Sequence, residues 1–289
     1  MNRLIGVEIR RVLARRLVRV LAALVVLGIL IAAPKVFMKS NRDIAKATVV
    51  ERAEAVRDYE TCLRESGSKA ASCEKPNVDE IVAEPRFHLT QLIDIGQGIS
   101  GMLIMLSFVI GASFVGADWH HRVVTTALTW EPRRTRVLSA KILAVAAVVF
   151  VGTVAFELVL AAALAPAAVF RGTTAGVDGS WIASYGGVLI RGGSTAALAA
   201  GIGCSLAMIG RATAAALGGM FAYIAVVENL VRAGIPGWRR WLVGDQLEAF
   251  VGHPTARVRS VWTAGVLLAC YGTLVVLVAA RVFQRRDVA

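Results

Sequence analysis

Asp118, His120 and His121 place an acid and two imidazoles side by side, donors that can ligate a metal. In a helix, however, adjacent histidines project about 100° apart, and an intrahelical metal pair needs the i, i+4 spacing of H-E-x-x-H. That spacing is absent, and no metal site is expected. A second chemistry is nucleophilic, because Gly98 to Gly101 read Gly-Ile-Ser-Gly, the G-x-S-G form of an intramembrane serine protease with Ser100 as nucleophile. Such a serine needs a histidine base within hydrogen-bond reach. His88 lies at or above one end of the same apolar run, His120 and His121 lie at the other end roughly 30 Å away, and His253 lies in a loop. Glycine and serine in such a run more often serve close helix packing. No G-x-x-x-x-G-K-[ST] loop occurs, so the chain does not bind ATP by that device.

The elements that carry these residues are apolar runs. The chain has 289 residues, is 56% hydrophobic and has a mean hydropathy of +0.64, too apolar for a soluble domain of this size to solvate its surface. A spanning helix needs roughly 20 mostly apolar residues. Six stretches qualify: 17–38, 92–117, 139–168, 183–210, 212–231 and 260–283. They are near-continuous, rich in glycine and alanine, and lack period-2 alternation, which predicts an all-α bundle and not a barrel. We read 1–289 as one transmembrane domain.

The net charge of +12 punctuates the apolar runs instead of gathering on a soluble face, so it points to membrane topology and not to nucleic acid. Arg3, Arg10, Arg11, Arg15, Arg16 and Arg19 precede the first run, which lacks a cleavage site of the A-x-A kind and is read as a retained span. Residues 1–16 are expected to form an interfacial amphipathic helix, with Leu4, Ile5, Val12 and Leu13 toward lipid and the arginines toward headgroups. A cytoplasmic start then gathers Arg122, Arg133, Arg134, Arg136, Lys141, Arg211, Arg281, Arg285 and Arg286 on the same side, and places both termini in the cytoplasm.

Residues 39–90 become an extracytoplasmic loop, in which Cys62 and Cys73 can form a persistent disulfide. Ile44, Val49 or Val50, Ala53, Val56 and Tyr59 recur there at helical spacing. Cys204 and Cys270 lie inside spans and read as small packing residues. Residues 232–258, bounded by Pro236 and Pro254, are too short and broken to span and read as outer re-entrant or interfacial helices anchored by Trp238 and Trp241.

Residues 118–138 join the second and third spans. Val123, Val124, Ala127 and Leu128 fall on one side of a short helix, and Thr125, Thr126 and Thr129 on another. Pro132 suits the first turn of a new helix, and Glu131 before it favours extended backbone. The expected product is a stiff bent hairpin presenting Trp130, Glu131 and Arg133, an aromatic and both charge signs, as protein interfaces use.

The stretch GADWHHRVVTTALTWEPRRTRVLSAKILA, residues 116–144, resembles the loop between the second and third spans in permeases of the ABC-2 type, particularly actinobacterial ones. The resemblance rests on Asp118, Trp119, Thr125, Thr126, Leu128, Trp130, Glu131, Pro132, Arg133, Arg136 and Lys141; His120 and His121 are not part of it. The layout is also similar: an interfacial N-terminal helix, six spans and a broken outer helix before the sixth.

The resemblance implies an ABC-2 permease fold in a bacterial cytoplasmic membrane. It further implies that Asp118, Trp119, Arg122, Thr125, Thr126, Leu128, Trp130, Glu131, Pro132 and Arg133 couple to one of two cytoplasmic ATPase subunits, which hold ATP and magnesium. A second permease copy or homologue completes the assembly, and a hydrophobic or amphiphilic substrate moves outward. The chain itself is then not an enzyme and binds no cofactor. The alternatives are a membrane anchor or sensor that transports nothing, and the serine protease.

Polar groups inside spans cost several kcal/mol unless paired or facing water. Asp94 and Gln97 form a stripe with Gln91, and Glu228 adjoins Asn229 near the end of the fifth span. The family's second and fifth spans line its translocation path, so these four are its candidate residues. Arg191 lies at a depth that allows an ion pair with Glu157 or Glu228.

Overall fold

The structure is a computed structural model that describes residues 2–42, 53–54, 56–62, 64, 86–252 and 260–285. Among them there is no sheet, only an isolated parallel bridge between His88 and Thr173. Six helical stretches are long and apolar enough to cross a membrane: Arg16–Lys39, Leu89–His120, Arg134–Arg171, Gly179–Gly210, Thr213–Gly234 and Val261–Arg285. Each coincides with one of the six apolar runs, and together they define a polytopic helical membrane protein.

In chain order the helices are α1 (Asn2–Ala14), α2 (Arg16–Lys39), α3 (Leu92–His120), α4 (Val123–Trp130), α5 (Arg134–Pro166) and α6 (Gly179–Gly210). They are followed by α7 (Thr213–Ala222), α8 (Asn229–Gly234), α9 (Val243–Val251) and α10 (Val261–Arg285). A π-helical turn, Ala167–Arg171, prolongs α5, and a second, Tyr223–Glu228, joins α7 to α8. The stretch expected to be broken is a 3-10 turn, Pro236–Trp241, followed by α9. Residues 56–62 are helical, as the spacing of Val56 and Tyr59 predicts. Cys73, the expected disulfide partner of Cys62, and Ile44, Val49 and Val50 lie outside the described residues.

The chain forms two compact units. The first comprises residues 1–26, 93–158 and 183–289. Its core gathers Val12, Phe108, Phe114, Val145, Ala200, Met208 and Phe283. Helices α3 and α6 meet backbone to backbone: a Cβ at Gly203 would overlap the Phe108 carbonyl, and one at Gly111 the Ala200 carbonyl. The buried Cys204 thiol donates to the Gly111 carbonyl at 3.3 Å across the same contact. Small residues allow this approach, which replaces hydrophobic driving force with close van der Waals packing.

The second unit comprises residues 27–92 and 159–182. The buried Ser40 hydroxyl donates to the Arg171 carbonyl at 2.9 Å and accepts the Phe87 amide at 3.0 Å. Thr173 N–H donates to the Phe87 carbonyl, and Leu89 N–H to the Thr173 carbonyl. Polar ends of spans are thereby satisfied within the unit.

Candidate functional site

The 118–138 hairpin begins where α3 ends. Arg122 takes a left-handed backbone, φ 54°, which costs a side-chain-bearing residue about 1 kcal/mol and turns the chain into α4. Thr125 and Thr126 spend their hydroxyls on the Arg122 carbonyl, so the threonine-rich middle secures the start of α4. Val124 is fully buried and Leu128 packs against the core, which orients the helix as its two-sided pattern requires.

Glu131 is extended, as its place before proline predicts. Its carboxylate accepts from the Arg136 guanidinium at 3.0 Å and the Arg133 amide at 3.4 Å, closing a rigid elbow. The Arg136 bond holds the Glu131 carboxyl below its ordinary range. Helix α5 starts at Arg134, so Pro132 precedes its first turn and does not occupy it. Trp130 is 88% exposed, with Arg122, Thr126, Pro132 and Arg133 exposed around it. These five form the presented face of the hairpin.

Asp118, Trp119 and Leu128 do not belong to that face. Asp118 is 1% exposed and lies at the centre of a buried charge cluster. Lys141, fully buried on α5, donates to Asp118 and, at 3.1 Å, to Glu8 of α1. Arg11 and Arg15 reach Asp118 Oδ1 at 3.1 and 2.8 Å, and Arg11 also pairs with Glu8 at 3.0 Å. Arg15 further donates to the Ser113 and Phe114 carbonyls at the end of α3. The Phe114 ring supports three cations, 4.5 Å from Arg15, 5.1 Å from Lys141 and 5.9 Å from Arg11. Burial draws the Arg15 guanidinium below its ordinary range, and Asp118 opposes that effect.

The cluster corrects the expectation for α1. Arg11 and Arg15 turn inward and Val12 is fully buried, whereas Leu13 is exposed. The helix is bolted to the base of the hairpin by charge and does not merely float on headgroups. Glu8 was not a sequence candidate; an acid among the N-terminal arginines was the signal for it. Trp119 points inward too, donating from Nε1 to Met208 Sδ at 3.2 Å and stacking edge-on to Phe283 at 6.2 Å. Arg211 covers its ring at 5.2 Å.

Toward the opposite end of α3, Gln97 and Glu228 line one cavity, but Asp94 and Asn229 are exposed and do not line it. Glu228 ends the π turn and is 6% exposed, whereas the next residue, Asn229, projects outward, where its amide donates to the Ile224 and Ala225 carbonyls. Such wide turns loosen carbonyls from the helical ladder, and a side-chain amide satisfies them. Glu228 accepts the Gly244 amide at 2.8 Å and Arg232 at 3.3 Å; Arg232 also reaches Asp245 at 2.7 Å. Helix α9 is fastened to the π turn through this bridge.

The expected Arg191–Glu157 pair is not formed, and neither is Arg191–Glu228. Arg191 Nε donates to the Gly187 carbonyl of its own helix, and Glu228 takes Arg232 instead. Glu157 is 1% exposed, and neither of its carboxyl oxygens has a hydrogen-bond partner among the described residues. Matching depth set these groups at one height without setting the helix faces on which they project. Ser100 is buried and donates to the Gly96 carbonyl at 2.7 Å, the back-bond of a helical serine. His120 and His121 lie edge to face at 5.0 Å, and among the described residues no group of three or more His, Cys, Asp or Glu side chains converges on a metal position.

The cavity has a volume of about 700 Å³, within the range of small-molecule sites. Helices α3, α6, α7, α8, α9 and α10 and the Tyr223–Glu228 π turn form its wall, with Phe108, Ile202, Gly219, Leu247 and Val275 among the apolar lining. Comparisons with protein-family models, curated proteins and solved structures found no match.

Proposed function

We propose that this chain is the membrane-spanning subunit of an ATP-driven exporter of the ABC-2 type, with energy supplied by separate cytoplasmic ATPase subunits. The observation that carries the reading is the rigid elbow at Glu131, which holds the bare Trp130 ring, 88% exposed, beside Arg133 on a foundation of buried charge. An exposed tryptophan ringed by polar residues is the anchor type that protein interfaces favour. The family resemblance of residues 116–144 supplies the partner: an ATPase whose nucleotide-driven closure pushes on this hairpin. The arginine-rich end of the first unit then faces the cytoplasm, both termini included. A second permease copy or homologue completes the assembly, and the cavity offers a hydrophobic or amphiphilic substrate its place in the wall of the second and fifth spans.

The test is gentle extraction of the tagged chain from its native membrane, followed by identification of what co-purifies. The parent chain brings an ATPase with it. The double substitution Trp130→Ala, Arg133→Glu alters only exposed side chains, leaves the permease monodisperse and abolishes recovery of the ATPase. A well-folded parent that brings none would overturn the reading and leave a membrane anchor in its place.

A further inference from the structure

We infer that the 700 Å³ cavity is a binding site for a cationic amphiphile, a bulky apolar body carrying one positive charge. The inference rests on the cavity alone, so it stands or falls separately from the docking of an ATPase.

The wall is apolar along α3 from Gly98 to Phe108 and along α6 from Leu198 to Leu206, interrupted by few hydroxyls. Ser100 and Thr195 spend their hydroxyls on carbonyls of their own helices. The long body of the cavity therefore presents hydrocarbon to its occupant and rewards apolar area.

Charge is confined to the end nearest α9. The charged groups lining it are Glu228, Glu248 and Arg232. Arg232 is already divided between Glu228 and Asp245, at 3.3 and 2.7 Å, both from Nη2. Glu248 is exposed and makes no hydrogen bond or ion pair among the described residues. Among the groups that line this end, two carboxylates stand against one guanidinium, and their balance is negative. In a wall of low polarity an unmatched negative charge attracts a cation far more strongly than it does in water.

Two aromatic rings reinforce the sign. Tyr223 and Tyr271 line the same cavity, and their hydroxyls are fixed, Tyr223 accepting the Val243 amide at 3.2 Å and Tyr271 donating to the Trp241 carbonyl at 3.1 Å. Rings held in this way offer negative faces to a cation. A ligand with an apolar body toward Phe108 and a cationic centre toward Glu228 and Glu248 satisfies both ends of the cavity. An anionic lipid or fatty acid meets the same hydrocarbon but the wrong field.

The experiment uses the full chain in nanodiscs and two probes of similar shape and opposite charge, tetraphenylphosphonium and tetraphenylborate, measured separately by equilibrium dialysis. Saturable binding is taken over protein-free nanodiscs of the same lipid. The phosphonium is expected to bind saturably at one site per chain, at least tenfold tighter than the borate. Gly219 lines the cavity and an added Cβ there meets nothing within 4 Å, so Gly219→Phe places a ring at the wall with no clash at its first carbon and is expected to weaken phosphonium binding at least tenfold. Glu248→Gln, at a position without a partner among the described residues, is expected to weaken the phosphonium severalfold and leave the borate unchanged. Borate binding equal to or tighter than phosphonium binding in the parent overturns the inference, and so does phosphonium binding that Gly219→Phe leaves intact. The charge preference is read on the parent chain and does not depend on any variant folding.

Discussion

Asp118 accepts from three cations while almost no water reaches it. Removing one partner from such a set strands the others, which costs about 3–5 kcal/mol, whereas removing both ends of a pair and filling the space with hydrocarbon costs much less. Asp118→Asn is therefore expected to lower the thermal stability of the detergent-extracted chain sharply, and Asp118→Leu with Lys141→Met to recover most of the loss. A double substitution as damaging as the single one would show that the cluster is not a coupled unit. The sequence made Asp118 visible as a special residue but gave it the wrong neighbours. Its partners Glu8 and Lys141 come from two other helices, and local spacing carries no information about such contacts. Glu157 and Arg191 show the converse: they share a depth, and their helices turn them to different surroundings.

At the scale of the element, the hairpin depends on the Glu131 elbow. The carboxyl is held below its usual value of 4.5, so its contribution is complete above pH 4.5 and is lost as pH falls through the lowered folded value. Amide exchange at residues 132–136, followed by mass spectrometry and corrected for the intrinsic pH dependence, is expected to stay protected from pH 7 down to 4.5 and to open as pH falls further, through the lowered folded value. Glu131→Gln is expected to remove that transition; if it persists in the variant, another group controls the elbow. The pattern of α4 and the extended geometry before Pro132 were legible because both follow from local backbone chemistry. The π turn at Tyr223–Glu228 was not: it changes the number of residues per turn without any residue type that demands it.

For the whole molecule, the six spans were legible because apolar length is the strongest signal a membrane chain carries. The crossing of α3 and α6 was legible only as an excess of small residues, with Gly111 and Gly203 indistinguishable from glycines that touch nothing. The proposed orientation is testable by labelling intact cells with a thiol reagent that does not cross membranes, in a background lacking the native cysteines. Cysteine introduced at Trp238 is expected to react, and cysteine at Trp130 only after permeabilisation. The opposite pattern would invert the molecule and remove its ATPase from reach.

The charge cluster also dictates a timetable. Glu8 is separated from Lys141 by 133 positions along the chain. At roughly 5–20 residues per second, translation takes on the order of ten seconds to travel from one to the other. During that interval Arg11 and Arg15 wait at the membrane surface, and Asp118 enters at the end of its span without its lysine. Only when the third span has been delivered does the set of charges close around Phe114. Helix α1 is made well before α5 and is locked only after it, so the cluster serves as a latch on membrane insertion as well as a joint in the finished molecule.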